Sequence, residues 1–245
     1  MKTMLMLVGA AAAVAALVLG GCAATRIGAA AELARESEPF QHTPPNATLR
    51  LLIVGDSTGV GTGATSPQAS LAGLLAQAYP RLRIDNLARD GATFEGVVQQ
   101  LGRGDARYDV VLIQAGGNDV IRMRGDDAMR ADIDRAVALA AARADRVLVM
   151  PAGNVGNAPF FFPPLSSLMS TRAERLHGFI QAAVQRHGAV YINLFQAPEN
   201  DPFVQKPGLH ARDGLHPSDA GYQIWFNELS RQADLARLFA AARAG

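Results

Sequence analysis

From residue 49 to the C-terminus, compact apolar runs alternate with longer segments whose apolar positions recur at helical spacing. The runs cover 49–54, 82–87, 110–114, 147–150 and 190–194, and the first ends against a glycine. Short runs of this kind predict buried strands. Between the first two, Ser66-Pro67 opens a helical pattern that reaches about Tyr79, with serine as cap and proline in the first turn. Further helices are predicted over 93–101, 126–144, 171–187 and from Pro217 to about Ala241. In the helix over 126–144, Ile133, Val137 and Ala140 keep helical spacing. Strands this apolar, separated by helices, predict a parallel sheet covered on both faces. The fold class is therefore α/β: a three-layer α/β/α sandwich around a central parallel sheet of about five strands. No repeat and no second domain interrupts residues 49–245.

The N-terminal segment follows a different pattern. Lys2 precedes an apolar stretch over 4–19, followed by Leu19-Gly20-Gly21-Cys22. Residues 1–21 have the layout of an export signal. The stretch is marginal in length for a membrane span, and its alanines and glycines make it weakly hydrophobic. Residues 22–48 read as a tether, with small residues, scattered charges and Pro39, Pro44 and Pro45. A short helix over 29–36 fits the spacing, but its apolar face is too small to build a core.

Composition adds limits. The 245 residues are 49% hydrophobic and 18% charged, which suits one globular domain. Lys and Arg number 23 against 22 Asp and Glu, so loss of Lys2 with the signal leaves 22 of each sign. A balance of zero gives no footprint for nucleic acid or an acidic surface. Cys22 is the only cysteine, which excludes an intrachain disulfide. Leu19-Gly20-Gly21-Cys22 resembles the lipobox of bacterial lipoproteins, in which the cysteine is acylated and becomes the mature N-terminus. That resemblance implies export and a membrane anchor at Cys22, on the periplasmic or outer face of the cell envelope. A plain cleavable signal with an incidental cysteine and an uncleaved anchor are the alternatives.

In sheets of this type the functional loops lie at the carboxyl ends of the strands. Four polar clusters fall there. Gly55-Asp56-Ser57 follows the first strand, Asp90-Gly91-Ala92 the second, and Gly116-Gly117-Asn118-Asp119 the third. Asp213-Gly214-Leu215-His216 follows the fifth, just before the last helix. A serine hydroxyl attacks an acyl carbon only when a base takes its proton and a further group orients that base. His216 fits the base and Asp213 its orienter. Acyl transfer also needs donors aimed at the developing oxyanion. The backbone N–H of Ser57, the backbone N–H of Gly91 and the amide of Asn118 fit that need. Asp56 fits a second acid or, better, a support of the nucleophile loop through hydrogen bonds.

Together these blocks resemble the SGNH (GDSL-like) hydrolases. That family carries serine in a GDS block after the first strand, glycine after the second, GxND after the third, and DxxH near the C-terminus. The resemblance runs from about Leu49 into the last helix, with Thr58 in place of the leucine that gives GDSL its last letter. It implies a flavodoxin-like sandwich and a serine ester hydrolase without cofactor or metal. It further implies Ser57 as nucleophile, His216 as base with Asp213 as its partner, and an oxyanion hole of Ser57, Gly91 and Asn118, with Gly117 in support. The substrates implied are small-molecule or polysaccharide esters: lipid or short-chain acyl esters, thioesters, or O-acetylated glycans.

Each block taken alone has a plainer reading. Gly-Asp-Ser is commonly a turn, Asn118-Asp119 caps a following helix, and Asp213-Gly214 is a turn signal. Gly55-Asp56-Ser57-Thr58-Gly59 also matches the elbow G-x-S-x-G of α/β-hydrolases, which normally follows several strands. Gly59-Val60-Gly61-Thr62-Gly63-Ala64 matches a dinucleotide fingerprint, with Asp85 at a fitting distance beyond. A non-catalytic glycan-binding envelope lipoprotein is the remaining alternative class. Among the other histidines, His42 lies in the tether, His177 and His187 read as solvated or dipole-facing, and His210 as a neighbour of the site. Phe160, Phe161 and Phe162 fit either an acyl pocket or ordinary core packing.

Overall fold

The first strand, β1 (Leu49–Gly55), is buried from Leu51 onward, as a central strand must be. In the computed structural model, which describes residues 24–242, it pairs in parallel with strands on both sides. The strands are β2 (Leu82–Asn86), β3 (Tyr108–Gln114), β4 (Ala144–Val149) and β5 (Val190–Tyr191). Their order is β2-β1-β3-β4-β5, and every pairing is parallel. This is the predicted three-layer sandwich. The expected signal segment and Cys22 lie outside the described residues.

Side chains alternate across the strands, so β1 feeds two cores. Leu52 and Val54 join Val111, Ile113, Val147 and Val149 on one face. Phe94, Ile133 and Ile180 pack on them from helices α4 (Phe94–Leu101), α6 (Asp126–Arg143) and α7 (Leu165–His187). Leu51 and Ile53 join Val110, Leu112 and Leu148 on the other face. That face is covered by α3 (Leu71–Ala78), α9 (Asp219–Gln232) and α10 (Leu235–Leu238). The chain leaves β1 toward β2 and then returns across it to β3. The direction of winding therefore reverses between β1 and β3, which opens a crevice at their carboxyl ends.

Several boundaries differ from the sequence reading. The helix expected over 66–79 is a 3-10 turn, Pro67–Ala69, followed by α3, because Ser70 is extended and caps α3 through Gly73 N–H. The last helix breaks at Asp234, whose φ of 46° is left-handed. Helix α7 begins at Leu165, before the expected Thr171. Strand β5 is shorter than 190–194, since Asn193 N–H bonds the Gln232 side chain and leaves the ladder.

The segment read as a tether is built into the fold over its described part. Residues 24–36 form a helix, α1, with Leu33 buried. Beyond it, His42 pairs antiparallel with Ile84, and Gln41 exchanges two hydrogen bonds with the backbone of Asn86. The cause is an open edge. Strand β2 ends the sheet, and its outward N–H and C=O groups need partners. His42 Nδ1 also lies 2.8 Å from the Leu82 carbonyl oxygen.

Candidate active site

The crevice between β1 and β3 receives the Gly55-Asp56-Ser57 block. Gly55 has φ 151°, and a Cβ there would lie 1.9 Å from the Gln114 carbonyl oxygen. Only glycine allows β1 to approach β3 this closely. The buried Gln100 side chain clamps the same residue: Gly55 N–H donates to its Oε1 at 2.7 Å, and its Nε2 donates to the Gly55 carbonyl at 2.9 Å. Asp56 N–H continues the chain of bonds to Gln114 O at 2.8 Å. Ser57 then starts a single helical turn, α2 (Ser57–Val60). Asp56 caps it, accepting from Thr58 N–H at 2.9 Å and Thr58 Oγ1 at 2.8 Å. N–H groups at a helix start have no intrahelical partner. Asp56 takes that of Thr58, and Ser57 itself lines the cleft.

The Asp213-Gly214-Leu215-His216 block meets this turn from the far end of the sequence. His216 Nε2 lies 2.9 Å from Ser57 Oγ, and His216 Nδ1 lies 2.5 Å from Asp213 Oδ2. The other carboxylate oxygen accepts the backbone N–H groups of Leu215 and His216 at 2.9 and 3.1 Å. Burial pushes the Asp213 carboxyl up. The imidazole hydrogen bond, the charge of His216 and the two backbone donors outweigh it and hold the group below its ordinary value. An ionised Asp213 fixes the proton on Nδ1 and leaves Nε2 to accept from the serine. Such a chain can take the serine proton as an acyl carbon is attacked.

Gly91 and Asn118 line the same cleft, of about 510 Å³, as Ser57 and His216. Gly91 has φ 73°, a backbone state that favours glycine. Asn118 sits in α5 (Gly117–Ile121) and makes no capping bond there. The capping role belongs to Asp119, but toward another helix than expected. Its carboxylate accepts from Phe94 N–H, at the start of α4, and pairs with Arg124 at 3.0 Å. Gly117 brings its backbone close to Asp56, since a Cβ there would lie 3.8 Å from Asp56 Oδ2.

Burial raises the Asp56 carboxyl to about 6, against the hydrogen bonds from Thr58. The folded state thus binds this proton more tightly than the unfolded chain. Its stabilising share is complete below the ordinary value of 3.8 and is lost as pH rises to about 6. Asp56→Asn keeps an oxygen for Thr58 and removes the buried charge. We expect the variant to gain up to about 3 kcal/mol relative to the parent above pH 6, and to lose that advantage near pH 4. Urea denaturation at both pH values measures the difference.

The glycines after Ser57 serve packing. A Cβ on Gly61 would meet Ser70 Cβ at 2.4 Å, and one on Gly63 would meet Pro217 O at 2.4 Å and His216 Cβ at 2.9 Å. These contacts fill the space that a pyrophosphate cradle would need. Asp85 pairs with Arg50 and Arg83. The dinucleotide reading is thereby replaced: Gly61 seats the start of α3, and Gly63 the loop of His216. The α/β-hydrolase elbow is likewise replaced, because Ser57 follows the first strand.

The remaining aromatics and histidines divide. Phe161 is core, Phe160 lines the cleft, and Phe162 is exposed. His210 lines the cleft beside Phe203. His187 pairs with Asp134 at the end of α7, as its dipole-facing reading expects. His177, expected to be solvated or dipole-facing, is buried between Tyr191 Oη and the Ala152 carbonyl, and burial lowers it to about 4. Gln100 escaped the sequence reading. Its signal was a lone glutamine on the buried Val97–Leu101 face of α4.

A model of the GDSL-like lipase/acylhydrolase family matches residues 53–224. A GDSL-like esterase of Mycobacterium tuberculosis, Rv1075c, is 30% identical over 214 residues, which is 82% of this chain and 64% of that protein. The chain thus spans about two thirds of that relative. Among solved structures, TesA is similar with TM-score 0.62 at 21% identity, over 77% of this chain and 99% of that one. Axe2, an acetylxylan esterase from Geobacillus stearothermophilus, is similar with TM-score 0.54 at 22% identity, over 76% and 94%. These two likenesses concern the fold. The matched segment runs from within β1 past His216, and by that match the chain belongs to the GDSL-like lipase/acylhydrolase (SGNH) family.

Proposed function

We propose that this chain is a serine-dependent carboxylic ester hydrolase that works through an acyl-enzyme. The observation that carries this reading is the continuous relay Ser57–His216–Asp213, with contacts of 2.9 and 2.5 Å at the wall of one cleft. Ser57 Oγ attacks the ester carbonyl while His216 Nε2 takes its proton. The Ser57 and Gly91 N–H groups and the Asn118 amide hold the oxyanion. His216 returns the proton to the departing alcohol. It then activates the water that cleaves the acyl-serine bond and regenerates the free hydroxyl. Water is the co-reactant of the second half-reaction: its oxygen ends in the released acid, and one of its protons returns through His216 to Ser57 Oγ.

The oxyanion role has a direct test. Asn118→Ala lowers kcat on p-nitrophenyl acetate by about 10²–10³, while KM changes little. An Asn118 that served only the fold would lower thermal stability and leave kcat nearly intact.

For the substrate, the apolar walls supplied by Ile121, Val155, Phe160 and Leu215 support a lipid or short-chain acyl ester. Asn154, Asn157, Asn193 and Gln196 line the same cleft and support an O-acetylated glycan as the second reading. A series of p-nitrophenyl esters from acetyl to palmitoyl separates them. Rising kcat/KM with chain length supports the first; activity confined to acetyl supports the second. We place the protein at the bacterial cell envelope, anchored by acylated Cys22, on the sequence Leu19-Gly20-Gly21-Cys22. Incorporation of labelled palmitate that persists in Cys22→Ala would contradict that placement.

A further inference from the structure

Helix α1 forms part of the cleft wall. Ala30 and Ala34, four residues apart on one face of α1, line the same cleft as Ser57, Phe160, Leu215 and His216. The helix is attached to loops from two different strands. At its start, the Arg26 guanidinium donates to the Pro159 carbonyl and lies 4.4 Å from the centre of the Phe162 ring. Toward its end, Glu32 and Glu36 pair with Arg212 at 3.0 and 2.9 Å. Arg212 directly precedes Asp213, and the two loops also meet each other through Phe160 N–H and the Gly214 carbonyl at 2.9 Å. Helix α1 therefore bridges the loop after β4 and the loop that carries His216.

We propose that α1 is a size-selecting wall of the substrate cleft, with Ala30 and Ala34 setting how large an apolar arm of the ester fits against it. The proposal rests on the reading of Ser57 as nucleophile. Three observations carry it. The helix faces the cleft with methyl groups alone, so the space next to them is left for a ligand. Those methyl groups offer no hydrogen bond, so the part of the ester they meet is apolar. Leu33 is the one large side chain of α1 that is buried, and half-exposed ion pairs supply the attachment to Arg212. Exposed pairs of this kind hold weakly, so removing their charges loosens the Arg212 end of the helix while Leu33 and Arg26 keep it attached.

The test uses the full chain and two ester series: p-nitrophenyl esters from acetyl to octanoyl, and acetyl esters of phenol and naphthol. The readout is the ratio of kcat/KM for large over small members. Ala30→Trp and Ala34→Trp fill the space, and each lowers that ratio by about tenfold or more in one series, chiefly through KM. The series that responds shows whether the acyl or the alcohol arm lies against α1. Glu32→Gln with Glu36→Gln loosens the wall and raises the ratio in the same series. A ratio unchanged in both series, or raised by tryptophan, overturns the proposal. A tryptophan that merely displaced the helix would raise the ratio, so misplacement cannot pass for support. Reaction of the unsubstituted chain with a small alkyl fluorophosphonate reports separately on Ser57. Its absence defeats the nucleophile reading, whatever the ratios show.

Discussion

Ser57→Ala and His216→Ala each lower kcat for ester hydrolysis by about 10⁶, and the double variant falls no further than either alone. The two side chains form one device, joined at 2.9 Å. Without the imidazole the hydroxyl keeps its proton, and without the hydroxyl the imidazole has nothing to activate. What remains is the rate supplied by binding and the oxyanion donors. Steady-state kinetics on p-nitrophenyl acetate, with the parent, the two singles and the double, measures the cycle. Additive losses would mean that the residues act in separate steps.

Asp213→Asn lowers kcat by about 10⁴ and leaves the fold intact. The reason is the division of labour between its oxygens. Oδ1 accepts the N–H groups of Leu215 and His216, and an asparagine oxygen replaces it there. The other position then presents an NH₂ group to His216 Nδ1, where the carboxylate presented an acceptor at 2.5 Å. The imidazole responds by carrying its proton on Nε2, which can no longer accept from Ser57. KM and melting temperature stay near those of the parent. A loss in kcat below about tenfold would remove Asp213 from the relay and leave it as a turn residue.

The parts of this site most readily legible in the sequence are those where a buried strand ends abruptly in polar residues. Ser57, Gly91 and Asn118 are legible from the strand ends that they follow, whereas Asp213 and His216 lie far beyond β5 and are legible from their spacing just ahead of the last helix. Supports that act through the backbone were less visible. Gln100 lies mid-helix, and its bonds to Gly55 join residues 45 apart in sequence. Asp119 reads locally as a cap for the next turn, yet it caps α4 because the fold brings Phe94 N–H to it. The largest omission was residues 24–48. Their apolar content is too low to predict a core, and local periodicity cannot register the open edge of β2 that His42 and Gln41 satisfy. With that omission went Ala30 and Ala34, whose small side chains carry no signal until the cleft beneath them is seen.

A single labelling measurement bears most directly on the nucleophile. The intact chain is treated with an alkyl fluorophosphonate, and the adduct is mapped by peptide mass spectrometry. One phosphonyl group per chain, on Ser57, is the predicted result, with labelling abolished in Ser57→Ala and severely slowed in His216→Ala. An intact, folded chain that stays unlabelled, or that is labelled at another serine, would contradict the assignment of Ser57 as the nucleophile of this relay.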